Sequence, residues 1–202
     1  MPSHSSTRSR IIEIAASIID EHGESAVRIR DLAETVGVTQ PSLYHHFANR
    51  EAVLEAAHLH RFITKQDQHV QQFNVDAREC NSQEEFIQVV NRFFDFAQSD
   101  ESQPIREARI TVMAGAFRRP TLMAAVTESL EKLIAKMSDT FMFAKSHEWV
   151  REDLDVVAFT YWLTGELTVL VFVETTGRKD LRPAISAYVR RAVFMNLGLP
   201  QH

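Results

Sequence analysis

Residues 28–54 read RIRDLAETVGVTQPSLYHHFANREAVL, and their spacing predicts two short helices joined by a tight turn. Ile29, Leu32, Ala33 and Val36 recur at intervals of three and four, the period of one buried helix face. Gly37 breaks that pattern, since glycine readily takes the left-handed conformation that ends a helix. Thr39 then suits the N-cap of a short helix to about His46. Pro41 fits its first turn, where no intrahelical partner awaits an N–H. Leu43 and Phe47, one turn apart, face a core, while Ala33, Val38 and Leu43 allow the helices to cross closely. These are the proportions of a helix-turn-helix, whose second helix offers polar and flat side chains to base edges in the major groove.

Working outward, IIEIAASII over residues 11–19 places Ile11, Ala15 and Ile18 on one face of an earlier helix, and Gly23 follows as its stop. Asn49 reads as the N-cap of a fourth helix, with Glu51 well placed on the dipole. Ser82-Gln83-Glu84-Glu85 has capping-box spacing ahead of a run containing Phe86, Phe93, Phe94 and Phe96. Pro104 opens another helix, and Pro120 separates it from one over about Thr121 to Phe143. Asp153–Val173 is apolar nearly all round and is expected to be one helix buried on most sides. Thr176-Gly177 ends it, and Pro183 starts a final helix to about Leu197. The expectation is an all-α chain of about nine helices. A three-helix head occupies residues 1–50 and a helical body residues 51–202.

Composition narrows the function. The polar start MPSHSSTRSR lacks the apolar core of a secretory signal, and no run of uninterrupted apolar residues reaches membrane-span length. Cytoplasmic placement without membrane attachment is the expectation. A single cysteine, Cys80, excludes an internal disulfide framework and a cysteine-cluster zinc site. The net charge of −5 argues against a protein that coats nucleic acid generically, so any DNA reading must be local. Through residue 50, five arginines (Arg8, Arg10, Arg28, Arg30, Arg50) stand against six acids (Glu13, Asp20, Glu21, Glu24, Asp31, Glu34). His4, His22, His45 and His46 could supply positive charge below neutral pH, which would tighten DNA binding between about pH 8 and 6. The plainer alternative is that helix N-termini and a few arginines suffice.

From Ile11 to Leu54 the chain resembles the tetracycline-repressor (TetR) family. The resemblance rests on the Gly-Val turn, the Leu-Tyr-x-His-Phe end of the second helix, and the polar residue plus Arg-Glu that open helix four. It implies a homodimeric regulator, typically a repressor, that binds a palindromic operator and is released by a small, mostly apolar ligand. Carried onto matching positions, it implies that Arg30 reaches a guanine and that Tyr44 contacts thymine or phosphate. Thr39, His46 and Arg50 become backbone-positioning residues, and Arg8 a minor-groove or phosphate arm. Side-chain chemistry adds that Gln40 suits the adenine edge, while Pro41 and Ser42 could pack against thymine methyls. Tyr44 could instead pack between helices, and His45 and His46 could simply be solvated.

The last two helices are the ones that pair in dimers of proteins this chain resembles, and Gly165, Ala184, Ala187 and Ala192 would let helices approach. Aromatic density in the body suits either a core or a small-molecule site, with Phe93, Phe117, Phe141, Phe159 and Trp162 as candidate lining. Glu166 falls among apolar positions of its helix and so should be paired, protonated or in contact with something polar. Two rival readings remain. An enzyme finds little support: His58 and His60 point to different sides of a helix, Cys80 lacks a local base, and no phosphate-binding glycine loop occurs. Neither a cofactor nor a metal is expected. A helical protein-interaction module with a retired DNA-binding head is the other rival, favoured by the acidic balance.

Overall fold

The computed structural model describes residues 6–117 and 119–200, apart from the side chains of Phe62, Lys65 and Gln66. Among the described residues the chain forms ten α-helices and two short 3₁₀ turns, with no strand. Its contacts divide it into two units, Met1–Thr64 and Lys65–His202.

The first unit holds α1 (Thr7–His22), a 3₁₀ turn (Glu24–Ala26), α2 (Ile29–Val36), α3 (Gln40–His46) and the start of α4 (Arg50–Glu79). α1 begins a turn earlier than its apolar pattern because Ser6 Oγ caps it, accepting from Ser9 N at 3.2 Å. Ile11, Ala15, Leu32 and Leu43 are fully buried, and Val53 and Ala57 of α4 are buried with them. The head therefore extends past residue 50, since its core is completed by the first turns of α4. Asn49 Oδ1 starts that helix by accepting from Ala52 N at 2.8 Å.

The second unit begins within α4, which supplies the buried Val70, Phe73 and Ala77. It continues through α5 (Gln83–Ala97), α6 (Gln103–Ala116), α7 (Pro120–Ser146), α8 (Val156–Glu166), α9 (Leu170–Thr176) and α10 (Arg182–Leu197). Ser82 Oγ accepts from Glu85 N at 3.2 Å. The Glu85 carboxylate reaches back to Asn81 N at 2.7 Å, one residue beyond the N-cap N–H of the standard reciprocal bond. The core is aromatic: Phe73 tilts against Phe141, which meets Phe159 edge to face at 5.0 Å.

The expected single helix over Asp153–Val173 is two. Asp155 caps α8 by accepting from Ala158 N at 3.0 Å, and α8 ends at Glu166. Thr168 and Val169 donate to the carbonyls of Gly165 and Glu166, three residues back, so the chain tightens before α9 starts. The Thr168 hydroxyl also donates to the Gly165 carbonyl at 2.6 Å. Nor is this segment buried on most sides within one chain: Val157 and Tyr161 are exposed, and Phe172 is 74% exposed. Tyr188 and Met195 of α10 are exposed as well. Val156–Thr176 is long and apolar enough by composition to cross a membrane. It is nonetheless interrupted by this turn and carries Glu166 and Glu174.

Candidate nucleic-acid interface and body cavity

The turn between α2 and α3 is built by Gly37, at φ 78° and ψ 35°, with Val38 N donating to the Ala33 carbonyl at 2.9 Å. A Cβ at that positive φ would be strained, which is the physical reason glycine stands there. α3 starts on Thr39, whose Oγ1 accepts from Ser42 N at 3.3 Å. Leu43 and the C-cap Phe47 anchor its inner side in the head core.

With that face fixed, Gln40, Pro41, Tyr44, His45 and His46 are left exposed, and Ser42 is half-buried. Tyr44 is therefore not packed between helices: about half of its surface is open. α3 carries no acidic residue, so its outer face is locally free of the negative charge that dominates the composition. Arg30, in the first turn of α2, is exposed too. Arg8 is exposed, with its guanidinium 5.1 Å from the centre of the Phe47 ring. Thr39 is exposed while its hydroxyl serves as the cap. His22 is exposed, and His4 lies outside the described residues.

Arg50 faces inward. Its Nε donates to the Val27 carbonyl at 2.9 Å and its Nη2 to the Glu24 carbonyl at 2.8 Å, tying α4 to the segment before α2. Two acids counted against the head are likewise held by α4. Asp20 accepts from Arg61 at 2.6 Å, and Glu24 meets His58 at 3.1 Å. Sequence reasoning missed these pairs because their partners lie 41 and 34 residues away.

In the second unit a cavity of about 50 Å³ opens among α4, α5, α6, α7 and the end of α8. Phe93, Phe96, Leu133, Met137 and Leu167 give it apolar walls, and its polar lining comes from Arg106, Arg109, Ser102, Thr164 and His69. Arg106 forms an ion pair with Glu174 and donates to the carbonyls of Ala97 at 2.7 Å and Ser99 at 3.1 Å. Arg109 donates to the Thr164 carbonyl at 3.1 Å, and burial pulls its guanidinium down to about 10. His69 stacks on Phe96 with ring centres 3.5 Å apart, and burial lowers its imidazole.

Of the residues expected to line a ligand site, Phe93 is on the wall of this cavity. Phe141 and Phe159 are buried in the core, and Trp162 packs against it. Phe117 is 78% exposed just past the end of α6, and Glu166 is half-buried at the end of α8. The two arginines were missed, although a signal existed. Ile105, Arg109, Val112 and Ala116 follow the three–four period, which puts an arginine on an inward face. Among the described residues no group of three or more His, Cys, Asp or Glu side chains is placed to hold a metal ion.

Residues 11–57 match the family model described as bacterial regulatory proteins, tetR family. The transcriptional repressor KstR2 of Mycobacterium tuberculosis is 40% identical over 50 residues, which is 25% of this chain and 25% of that protein. The class A tetracycline repressor from transposon 1721 of Escherichia coli is 44% identical over 46 residues, 23% of this chain and 21% of that protein. The match thus spans about a quarter of the length of these curated relatives and lies in the head. Over the whole length, a TetR-family transcriptional regulator from Cytophaga hutchinsonii superposes with a TM-score of 0.60 at 20% identity, covering 95% of this chain and 93% of that one. These proteins are regulators, not enzymes. Residues 11–57 are thus similar to the head of tetR-family bacterial regulatory proteins, and the whole length shares the fold of the solved structure from Cytophaga hutchinsonii.

Proposed function

We propose that this chain is a cytoplasmic transcription regulator, in the first instance a repressor, that binds a palindromic operator in double-stranded DNA as a homodimer. The observation that carries the reading is the outer face of α3. Gln40, Pro41, Tyr44, His45 and His46 are presented together, without an acid, by a helix fixed on Leu43 and Phe47. Gln40 matches the adenine edge, Arg30 a guanine, and Pro41 and Ser42 the thymine methyl. Tyr44, Thr39, His45, His46 and Arg8 position the head on the phosphate backbone. Arg50 acts one step back, by holding α4 against the segment that leads into α2.

One recognition helix reads few base pairs, so two heads are needed on a two-fold site. The exposed apolar side chains of α8, α9 and α10 (Tyr161, Phe172, Tyr188 and Met195) support dimerisation through the last helices. Gly165, Ala184 and Ala187 are exposed small residues on the same elements and would let the partner's helices come close. A small, mostly apolar effector in the body would release DNA by favouring dimer states whose heads no longer match the half-sites.

Selection of bound sequences from a random duplex pool tests the reading. A palindrome enriched by the native protein, whose half-sites change with Gln40→Ala, is the expected result. No enrichment even at low salt would overturn it and turn attention to a protein partner.

A further inference from the structure

The body cavity is lined by two buried cationic side chains and, among its described lining residues, by no acidic one. Arg106 and Arg109 lie three residues apart on α6, so both side chains emerge on the same side of that helix. Each is more than nine-tenths buried, a setting in which a charge requires compensation by hydrogen bonds or a counter-ion. Arg106 has Glu174 on one side, but its Nε is a buried donor with no hydrogen-bond acceptor. One oxygen of the Glu174 carboxylate is also buried without a donor, so this pair does not exhaust its own hydrogen-bonding capacity. Val70, Phe93, Leu133, Met137 and Leu167 line the same cavity with hydrocarbon.

We infer that the cavity takes a small apolar carboxylate, its anionic head against the Arg106–Arg109 side and its body against Phe93, Leu133 and Met137. The inference rests on the proposed regulator reading and names the chemical class of its effector. Guanidinium groups fit a carboxylate through paired N–H donors, and a charge-assisted bond of this kind is stronger than a neutral one. Size limits the body of the ligand. At about 50 Å³ the cavity is far below the ~300–1,000 Å³ of a site for a drug-sized molecule, so a single ring or a short chain is the occupant. Arg109 remains protonated at neutral pH even with burial pulling it to about 10, so the anion meets a full charge. His69 and Val70 line the cavity from α4, the same helix whose Val53, Leu54 and Ala57 belong to the head core. An occupant therefore touches an element that both units share.

Calorimetric titration of the free protein, without DNA, tests this with matched probes: benzoate against benzamide and benzyl alcohol, hexanoate against hexanol and hexylamine, and acetate alone. One of the two acids is expected to bind about 10- to 100-fold more tightly than its uncharged counterparts, the range one charge-assisted hydrogen bond supplies. Arg109→Gln should abolish that preference and Arg109→Lys should retain part of it. The native-protein series decides the matter should Arg109→Gln not fold. Equal binding of acid and amide, acetate binding as tightly as the larger acids, or no binding by either acid would each overturn the inference. Because no DNA is present, such a failure is separate from failure of the regulator reading, which the duplex selection addresses.

Discussion

Replacing Arg50 with methionine keeps the aliphatic stem and removes the guanidinium that joins α4 to the segment before α2. Its two bonds reach the carbonyls of Val27, at 2.9 Å, and Glu24, at 2.8 Å. Val27 is fully buried, so its bond is the costlier loss, whereas Glu24 is exposed and water can replace the donor there. A hydrogen bond to a charged group contributes about 1.5–3 kcal/mol, and counting the buried one fully and the exposed one little keeps the total in that range. Urea unfolding of Arg50→Met should therefore show a loss of about 1.5–3 kcal/mol. Operator affinity measured across a salt series should fall while keeping its slope, because the proposed role of the residue runs through these two bonds rather than through a phosphate. A phosphate contact would behave differently, lowering the slope of log K against log salt by about 0.9. Unchanged stability together with a slope reduced by that amount would refute this assignment.

Gln40→Ala should cost about 1–3 kcal/mol of discrimination at one base pair of each half-site and leave binding to scrambled DNA nearly unchanged, as competition titrations with single-base operator variants will show. Glu174→Leu strands Arg106 in the body interior, where losing one partner of a buried pair costs about 3–5 kcal/mol, read as a lower urea midpoint. Stability should also decline on acidification near neutrality. Burial holds the His69 imidazole below 6.5, opposed by the charge of Glu101, so below pH 6.5 the unfolded chain takes up a proton that the folded chain resists. Stability is then full above pH 6.5 and falls beneath it, and His69→Phe should flatten that part of the pH profile.

The head was legible because its determinants are local. Gly37, Thr39 and Asn49 act on backbone groups within a few residues, and the three–four spacing of Ile29, Leu32, Ala33 and Val36 names the buried face directly. The body was legible only in outline. Nothing in the run from Val156 to Thr176 announces its interruption, which comes from bonds three residues back around Gly165 rather than from a proline. Its all-round apolar character points to burial, yet Phe172 and Tyr161 lie open within one chain. The aromatic residues expected around a ligand went mainly to the core. Phe141 and Phe159 meet edge to face there because large flat rings bury the most surface, and the polar cavity wall fell to arginines with partners tens of residues away. Arg50 shows the same limit in the head: its position matched a family pattern, but its carbonyl partners were invisible without the fold.

The most direct test is the ratio of affinities for the selected palindrome and for a scrambled duplex of equal composition, measured at ~0.15 M salt with the number of protomers per duplex counted in the same titration. A ratio of about 10³ or more, with two protomers on each palindrome, is the result this account predicts. A ratio near one, or a single protomer bound with equal strength to either duplex, would contradict it.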